Sequence, residues 1–189
     1  MKGIFYGIGI GPGDPEHITL KAVRMIKEVD VIAAPGTDVK ETLAYRIAVQ
    51  AVPEIEQKEM LPIDMPMTMD KELLLKAHKH GAESIEKVLA EGKSIGFITL
   101  GDTTVYSTFS YLEKIVKDHG FKTVYISGIT SFCAAAASLG IPLTEWQEPL
   151  HVVPAVHQLD DKLALDGSYV LMKSGRQMPK VKEILTKSG

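Results

Sequence analysis

The sequence predicts an α/β protein with two α/β domains and a mostly parallel sheet in the N-terminal domain. Short apolar, partly β-branched segments alternate along the chain with segments whose apolar residues recur every three or four positions. Glycine-rich loops follow several of the predicted strands. Alternation of strands and helices at this spacing is typical of a parallel sheet covered by helices. We predict the domain boundary between residues 119 and 120, which gives domains of 1–119 and 120–189.

The predicted strands are short apolar runs bounded by glycine, proline or polar residues. The first spans residues 4–10 and leads into GPGDP at 11–15, a segment that forces a tight loop. The other predicted strands are residues 29–34, 94–100, 123–126, 150–154 and 168–172. The methionine-rich segment 60–70 contains Pro62 and Pro66, so it is not expected to be one regular element throughout.

The predicted helices begin at residues suited to helix N-termini and carry apolar residues at helical spacing. We expect Asp14 to cap the first helix, with Pro15 at its first position. Asp70 is expected to cap a long helix that ends at Gly92. Further helices are predicted at about residues 41–51, 105–120, 130–139 and 178–187.

Composition excludes several classes of function. The formal net charge of -3 leaves no whole-surface positive field for nucleic acid or an anionic membrane. The apolar N-terminal stretch is interrupted by glycines and is unsuited to a signal segment or a membrane span. Cys133 is the single cysteine, which excludes an internal disulfide and predicts a reducing, cytoplasmic setting. Its alanine-rich helix predicts a small core residue, and no metal site is predicted.

Three glycine-rich loops follow predicted strands: loop 1 at residues 9–14, loop 2 at 101–104 and loop 3 at 127–131. In open α/β sheets, ligands bind at the carboxyl ends of strands, where the next helix has unpaired amides. Loop 1 does not match the dinucleotide fingerprint G-x-G-x-x-G, because Pro12 and Asp14 occupy positions that require glycine. One such loop alone is more typical of an ordinary turn, whereas three together favour a shared pocket.

Asp102 lies in loop 2, directly after a predicted buried strand. Its carboxylate is suited to capping the helix that follows. It is equally suited to a polar contact with a cofactor or substrate. The residue types leave both interpretations open.

The most distinctive motifs are GIGPGDPE at 9–16, LGDTTVYST at 100–108 and GITSF at 128–132. Together they resemble the tetrapyrrole (corrin/porphyrin) methylase family, and the resemblance covers nearly the whole chain. Further segments are most similar to the subgroup that methylates C20 of corrin precursors; they are PMTMD at 66–70, VYST at 105–108 and VPA at 153–155.

This resemblance implies an enzyme that transfers a methyl group from S-adenosylmethionine to C20 of precorrin-2 or cobalt-factor II, in cobalamin biosynthesis. It also implies that the cofactor lies in the cleft between two domains and that the chain forms a homodimer. Members of the family extend beyond the point at which this chain stops, so the resemblance implies an incomplete C-terminal domain. The implied cofactor-binding residues are Pro12, Leu100, Gly101, Asp102, Val105, Thr130, Ser131 and Met172.

The sequence departs from the family in two of these loops. The family usually has proline at the positions of Thr103 and Ser127. Each replacement frees a backbone φ angle and adds a backbone donor, so loops 2 and 3 are expected to be less rigid than usual.

A sulfonium methyl group is a strong electrophile, so the enzyme must mainly align it with the attacking carbon and exclude water. The sequence assigns no catalytic residue. Asp102 and Tyr106 are candidates for a base, and each also suits a structural or cofactor-positioning role. Lys173 and Arg176 are candidates for binding the carboxylates of a tetrapyrrole, although solvated surface charge explains them equally well.

Three alternatives remain at this stage. The chain could be another tetrapyrrole methylase, acting on uroporphyrinogen III or on a different corrin position. It could be a diphthine synthase, which belongs to the same family. The third alternative, from a different class, is a non-catalytic ligand-binding module.

Overall fold

The computed structural model describes residues 2–66, 68, 70–154, 165–175 and 178–187, without the side chains of Ile184 and Lys187. The chain divides into two compact units, Met1–Ser131 and Phe132–Gly189. The predicted boundary at 119/120 lies twelve residues before this division. The difference arises because the strand that follows residue 120 pairs within the first unit.

A five-stranded parallel sheet forms the centre of the first unit, in the order β3-β2-β4-β1-β5. Its strands are β1 (Ile4–Gly9), β2 (Val31–Pro35), β3 (Glu59–Ile63), β4 (Ile95–Thr99) and β5 (Lys122–Ile126). The helices between them are α1 (Leu20–Glu28), α2 (Leu43–Ala51), α3 (Lys71–Ala90) and α4 (Phe109–Asp118). The predicted α/β class with a parallel sheet is therefore confirmed.

The core of this unit consists of two apolar clusters. Ile8 and Ile98 pack with apolar residues of α1 and α2 in one cluster. Phe5 and Phe97 pack with residues of α3 and α4 in the other. Because successive side chains of a strand point to opposite faces, the two clusters cover both faces of the sheet. Packing on both faces holds the strands in place. It therefore also fixes where the loops that follow the strands begin.

The first helix differs from its prediction. Asp14 does act as a cap, since its Oδ1 accepts a hydrogen bond from the amide of Glu16 at 2.8 Å, but the turn it caps is only Pro15–His17. Thr19 is extended, and its hydroxyl accepts a hydrogen bond from the amide of Ala22 at 3.2 Å, which starts α1 at Leu20. The prediction of one continuous helix from Pro15 is therefore wrong, because Thr19 supplies a second cap.

Strand β3 lies in a segment that was not predicted to be a strand. It includes Pro62, which pairs in register with Ala34 of β2. Proline cannot donate a hydrogen bond to a neighbouring strand, but β3 is at the edge of the sheet and has a neighbour on one side only. The edge position explains why proline is tolerated here.

The two long central helices give opposite outcomes. Helix α3 is capped as predicted, since Oδ1 of Asp70 accepts hydrogen bonds from the amides of Glu72 at 2.9 Å and Leu73 at 3.2 Å. Helix α4 begins at Phe109, so the prediction that it includes Val105 is wrong. Tyr106 has a φ of +48°, which interrupts a helix.

The second unit contains a two-stranded parallel sheet and helices at the predicted positions. Its strands are β6 (Leu150–Pro154) and β7 (Ser168–Met172), followed by α6 (Met178–Lys187). Helix α5 (Ser131–Leu139) begins at the division between the units. The prediction that Cys133 is a core residue is wrong, because Cys133 is exposed. The buried residue of α5 is Ala136.

No helix among the described residues is both long enough and apolar enough to span a membrane. The 20-residue α3 has the length, but charged side chains such as Lys71, Glu72 and Lys76 occur throughout it.

Candidate functional site

Loops 1 and 2 are joined through their backbones at the carboxyl ends of β1 and β4. Gly11 and Gly101 form an antiparallel bridge in which the amide of Gly101 donates to the carbonyl of Gly11 at 2.8 Å. The reverse bond, from the amide of Gly11 to the carbonyl of Gly101, is 3.3 Å long. Both glycines have positive φ angles, +76° and +70°, that side chains disfavour.

Loop 3 approaches the same two loops so closely that only glycine fits. A Cβ atom on Gly128 would lie 2.2 Å from the carbonyl oxygen of Gly101. A Cβ atom on Gly9 would lie 2.7 Å from both that oxygen and the amide nitrogen of Gly128. The three loops predicted from the sequence therefore meet at the carboxyl ends of β1, β4 and β5.

Asp102 connects loop 2 to loop 3. Its Oδ1 accepts hydrogen bonds from the amide of Thr104 at 2.7 Å and from the Thr104 hydroxyl. Its Oδ2 accepts a hydrogen bond from the amide of Gly128 at 2.8 Å. The residue is 8% exposed. The predicted alternative of a cap for α4 is wrong, since the side chain that accepts from the first amide of α4 is Ser107.

The environment of Asp102 favours its ionised form. Burial alone would raise the pKa of this carboxyl group. The hydrogen bonds from Thr104, Gly128 and Ser127 outweigh burial and hold the pKa below its ordinary value. A carboxylate with a lowered pKa is a weak proton acceptor, so this geometry disfavours Asp102 as a general base.

Two buried polar atoms in or near these loops have no hydrogen-bond partner within the described part of the chain. They are Oγ1 of Thr130 in loop 3 and Nδ1 of His17, which follows loop 1. The Cβ of His17 would lie 3.0 Å from a Cβ on Gly11. Buried polar atoms are almost always paired, so the Thr130 hydroxyl leaves an unused hydrogen-bonding group beside the converging loops.

The other predicted cofactor residues of the first unit lie in the same loops or directly next to them. Gly101 lies against loop 3, since a Cβ on it would be 3.9 Å from the amide nitrogen of Ser131. Leu100 is 43% exposed at the end of β4. Pro12 and Val105 are half-buried in the segments that follow β1 and β4.

The remaining predicted residues belong to the second unit. Met172 is half-buried, ends β7 and pairs in register with Pro154 of β6. Lys173 follows it with an exposed side chain and a φ of +58°. Non-glycine residues in this backbone region cluster at functional sites. Arg176 lies outside the described residues.

Tyr106, the second candidate base, has an unusual backbone conformation. Its φ of +48° is uncommon for an aromatic residue, and its side chain is 44% exposed. Its position shortly after loop 2 places this strained residue near the converging loops.

Several residues whose hydrogen bonds hold these loops together had no functional role predicted from the sequence. They are Thr19, Thr104, Ser127 and Gly128. The signal for Ser127 was present in the sequence as a departure from the usual proline of the family. Thr19 and Thr104 carried no such signal, because their partners become apparent only when the loops are folded together.

No group of His, Cys, Asp and Glu side chains suited to a metal ion occurs among the described residues.

Comparison with known proteins identifies the family. The family model for Tetrapyrrole (Corrin/Porphyrin) Methylases matches residues 5–189. This chain is a tetrapyrrole methylase. Membership agrees with the motifs in loops 1, 2 and 3, which the structure brings together.

Two curated tetrapyrrole methylases illustrate the similarity. A Methanocaldococcus jannaschii protein named probable cobalt-precorrin-2 C(20)-methyltransferase is 38% identical over 170 residues, covering 89% of this chain and 71% of the relative. The Salmonella typhimurium cobalt-precorrin-2 C(20)-methyltransferase is 30% identical over 193 residues, covering 100% of this chain and 80% of the relative.

A solved structure supports the fold of this tetrapyrrole methylase. The X-ray structure of a cobalt precorrin-4 methyltransferase superposes with a TM-score of 0.72 at 21% sequence identity. The match covers 98% of this chain and 75% of that protein.

Proposed function

We propose that this tetrapyrrole methylase transfers the methyl group of S-adenosylmethionine to C20 of precorrin-2 or cobalt-factor II, in the biosynthesis of cobalamin. The observation that carries the proposal is the convergence of loops 1, 2 and 3 beside the buried hydroxyl of Thr130, which has no partner in the described part of the chain. Family membership supports the cofactor, and the names of the two relatives support the substrate.

The cofactor is proposed to bind at the carboxyl ends of β1, β4 and β5. Gly101 and Gly128 bring backbone amides and carbonyls close together without side chains between them. The hydroxyl of Thr130 would supply a hydrogen bond to a polar group of the cofactor. Direct contacts with the cofactor remain part of this proposal for the predicted residues other than Asp102, which are Pro12, Leu100, Gly101, Val105, Thr130, Ser131 and Met172.

The bound cofactor would supply an electrophilic methyl group, so the protein needs neither a nucleophile nor a metal ion for the transfer itself. The contribution of this chain is to fix the loops rigidly enough for the methyl group to face the attacking carbon. Asp102 holds loop 2 against loop 3 through the amide of Gly128 at 2.8 Å. We leave the group that accepts the substrate proton unassigned.

Lys173 is the described candidate for contact with the carboxylates of the macrocycle. Its charge suits such a contact, and its strained backbone at the end of β7 supports a functional role. The rival tetrapyrrole substrates and diphthine synthesis are less favoured, because both relatives above carry the C20-methyltransferase name. Assembly as a homodimer and location in the cytoplasm are proposed from the family resemblance.

The proposal is tested by methyl transfer from labelled S-adenosylmethionine. We expect label in precorrin-2 or cobalt-factor II, at C20 by NMR of the product, and none in uroporphyrinogen III. Label in uroporphyrinogen III alone would indicate a different tetrapyrrole methylase. Lack of transfer to every tetrapyrrole, with cofactor binding intact, would favour the non-catalytic ligand-binding module.

Thr130→Val tests the proposed cofactor contact. Removing the hydroxyl keeps the shape of the side chain but loses one hydrogen bond, so we expect the KM for S-adenosylmethionine to rise about fivefold to tenfold. The matched control is Thr37→Val, which removes an exposed hydroxyl after β2 and is expected to leave KM unchanged. Equal effects of the two substitutions would remove Thr130 from the site.

A further inference from the structure

Asp102 is surrounded by donors from its own chain. Both carboxylate oxygens accept hydrogen bonds, Oδ1 from the amide and hydroxyl of Thr104 and Oδ2 from the amide of Gly128. These partners lie 2 and 26 residues away in sequence, so the carboxylate ties two separate loops together.

We propose that Asp102 is a positioning residue that acts through the Ser127–Gly128 turn, and that its hydrogen bonds, together with that of the Thr103 hydroxyl, hold this turn against loop 2. This inference deepens the proposed function and rests on it for the identity of the cofactor. It differs from the expectation that Asp102 touches the cofactor or accepts a proton.

Two further side chains hold the segments next to the turn. The hydroxyl of Thr103 is fully buried and donates to the carbonyl of Ile126 at 3.3 Å, which ties loop 2 to the end of β5. The carbonyl of Ser127 also accepts a hydrogen bond of 3.5 Å from the hydroxyl of Thr19. Both ends of the turn are therefore fixed by side chains.

The turn leads directly into the proposed cofactor contacts. Gly128 is two residues before Thr130, whose hydroxyl is buried and unpaired among the described residues. A shift of the turn therefore displaces that hydroxyl and the start of α5 at Ser131. Small displacements of positioning groups cost large factors in rate or affinity, so the hydrogen bonds of Asp102 are coupled to cofactor binding.

The structural part of the proposal is tested in the ligand-free protein by hydrogen exchange of the Gly128 amide. We expect Asp102→Asn to accelerate this exchange about tenfold, because the amide loses a charge-assisted bond. Ser127→Ala should accelerate it by a smaller factor. Thr103→Val, which removes the hydrogen bond to the carbonyl of Ile126, should also accelerate it by a smaller factor.

The control is Asp118→Asn, which removes an exposed carboxylate at the end of α4 and should not alter Gly128. Calorimetry with S-adenosylhomocysteine measures the coupling. We expect its Kd to rise about tenfold in Asp102→Asn and less in Ser127→Ala, in the same order as the exchange rates. Denaturant titration of each variant establishes that the fold is retained.

Two results would overturn the proposal. Unchanged Gly128 exchange in both Asp102→Asn and Ser127→Ala would show that the turn does not depend on the carboxylate. A rise in Kd for Asp102→Asn without faster exchange would show that Asp102 contacts the cofactor directly. If the wild type does not bind S-adenosylhomocysteine at all, the proposed function fails, while the exchange measurements still decide whether Asp102 holds the turn.

Discussion

Asp102 receives its hydrogen bonds from residues that follow two different strands. From the sequence, its position after a buried strand predicted a carboxylate near the site but left a helix cap and a ligand contact equally open. The structure contradicts the helix cap and adds a contact between loops, which no pattern within a single segment can indicate. Similarly, the motif predicted Thr130, but only the folded loops reveal that its hydroxyl is buried without a partner among the described residues.

The lowered pKa of Asp102 predicts how stability depends on pH. The folded-state pKa lies below the ordinary value of 3.8, so the carboxylate stabilises the fold at neutral pH and loses this contribution as pH falls below that value. Relative to Asp102→Asn, the wild type should have a free energy of unfolding larger by about 1–3 kcal/mol near neutral pH. Urea denaturation should show this difference shrinking at about pH 3. A difference that is constant or grows on acidification would contradict the sign of the shift.

Helices and strands whose ends are set by residues close in sequence were predicted well. Asp70 caps α3 as expected, and β6, β7 and α6 begin and end at the predicted residues. The errors occur where a second signal competes with the local one. Thr19 restarts the first helix, and the edge position of β3 makes Pro62 acceptable.

The contact between loops 1, 2 and 3 requires glycine at its centre. Gly128→Ala would place a Cβ 2.2 Å from the carbonyl oxygen of Gly101, so the loops must separate. We expect a loss of about 1–3 kcal/mol in the free energy of unfolding and at least about tenfold weaker binding of S-adenosylhomocysteine. Gly13→Ala is the matched control for stability, since a Cβ there meets nothing within 4 Å. Comparable losses in the free energy of unfolding of both variants, measured by denaturation, would argue against the close contact.

The parallel sheet was predicted from alternating strands and helices, because each of its strands must be buried on both faces by the helices beside it. The extent of the first unit was harder to predict. Strand β5 joins the edge of the sheet beside β1, a pairing between residues more than a hundred positions apart. No local feature near residue 120 indicates that pairing, so the predicted boundary precedes the observed division at Ser131.

Titration of the ¹⁵N-labelled protein with S-adenosylhomocysteine, followed by amide NMR, tests most directly whether the three converging loops bind the cofactor. If the cofactor binds at these loops, we expect saturable shifts that are largest at Gly11, Gly101, Gly128 and Thr130, with a common Kd. The exposed Asp118 on α4 should not shift. Saturable shifts confined to other surfaces, with these loop amides unchanged, would contradict binding at these loops.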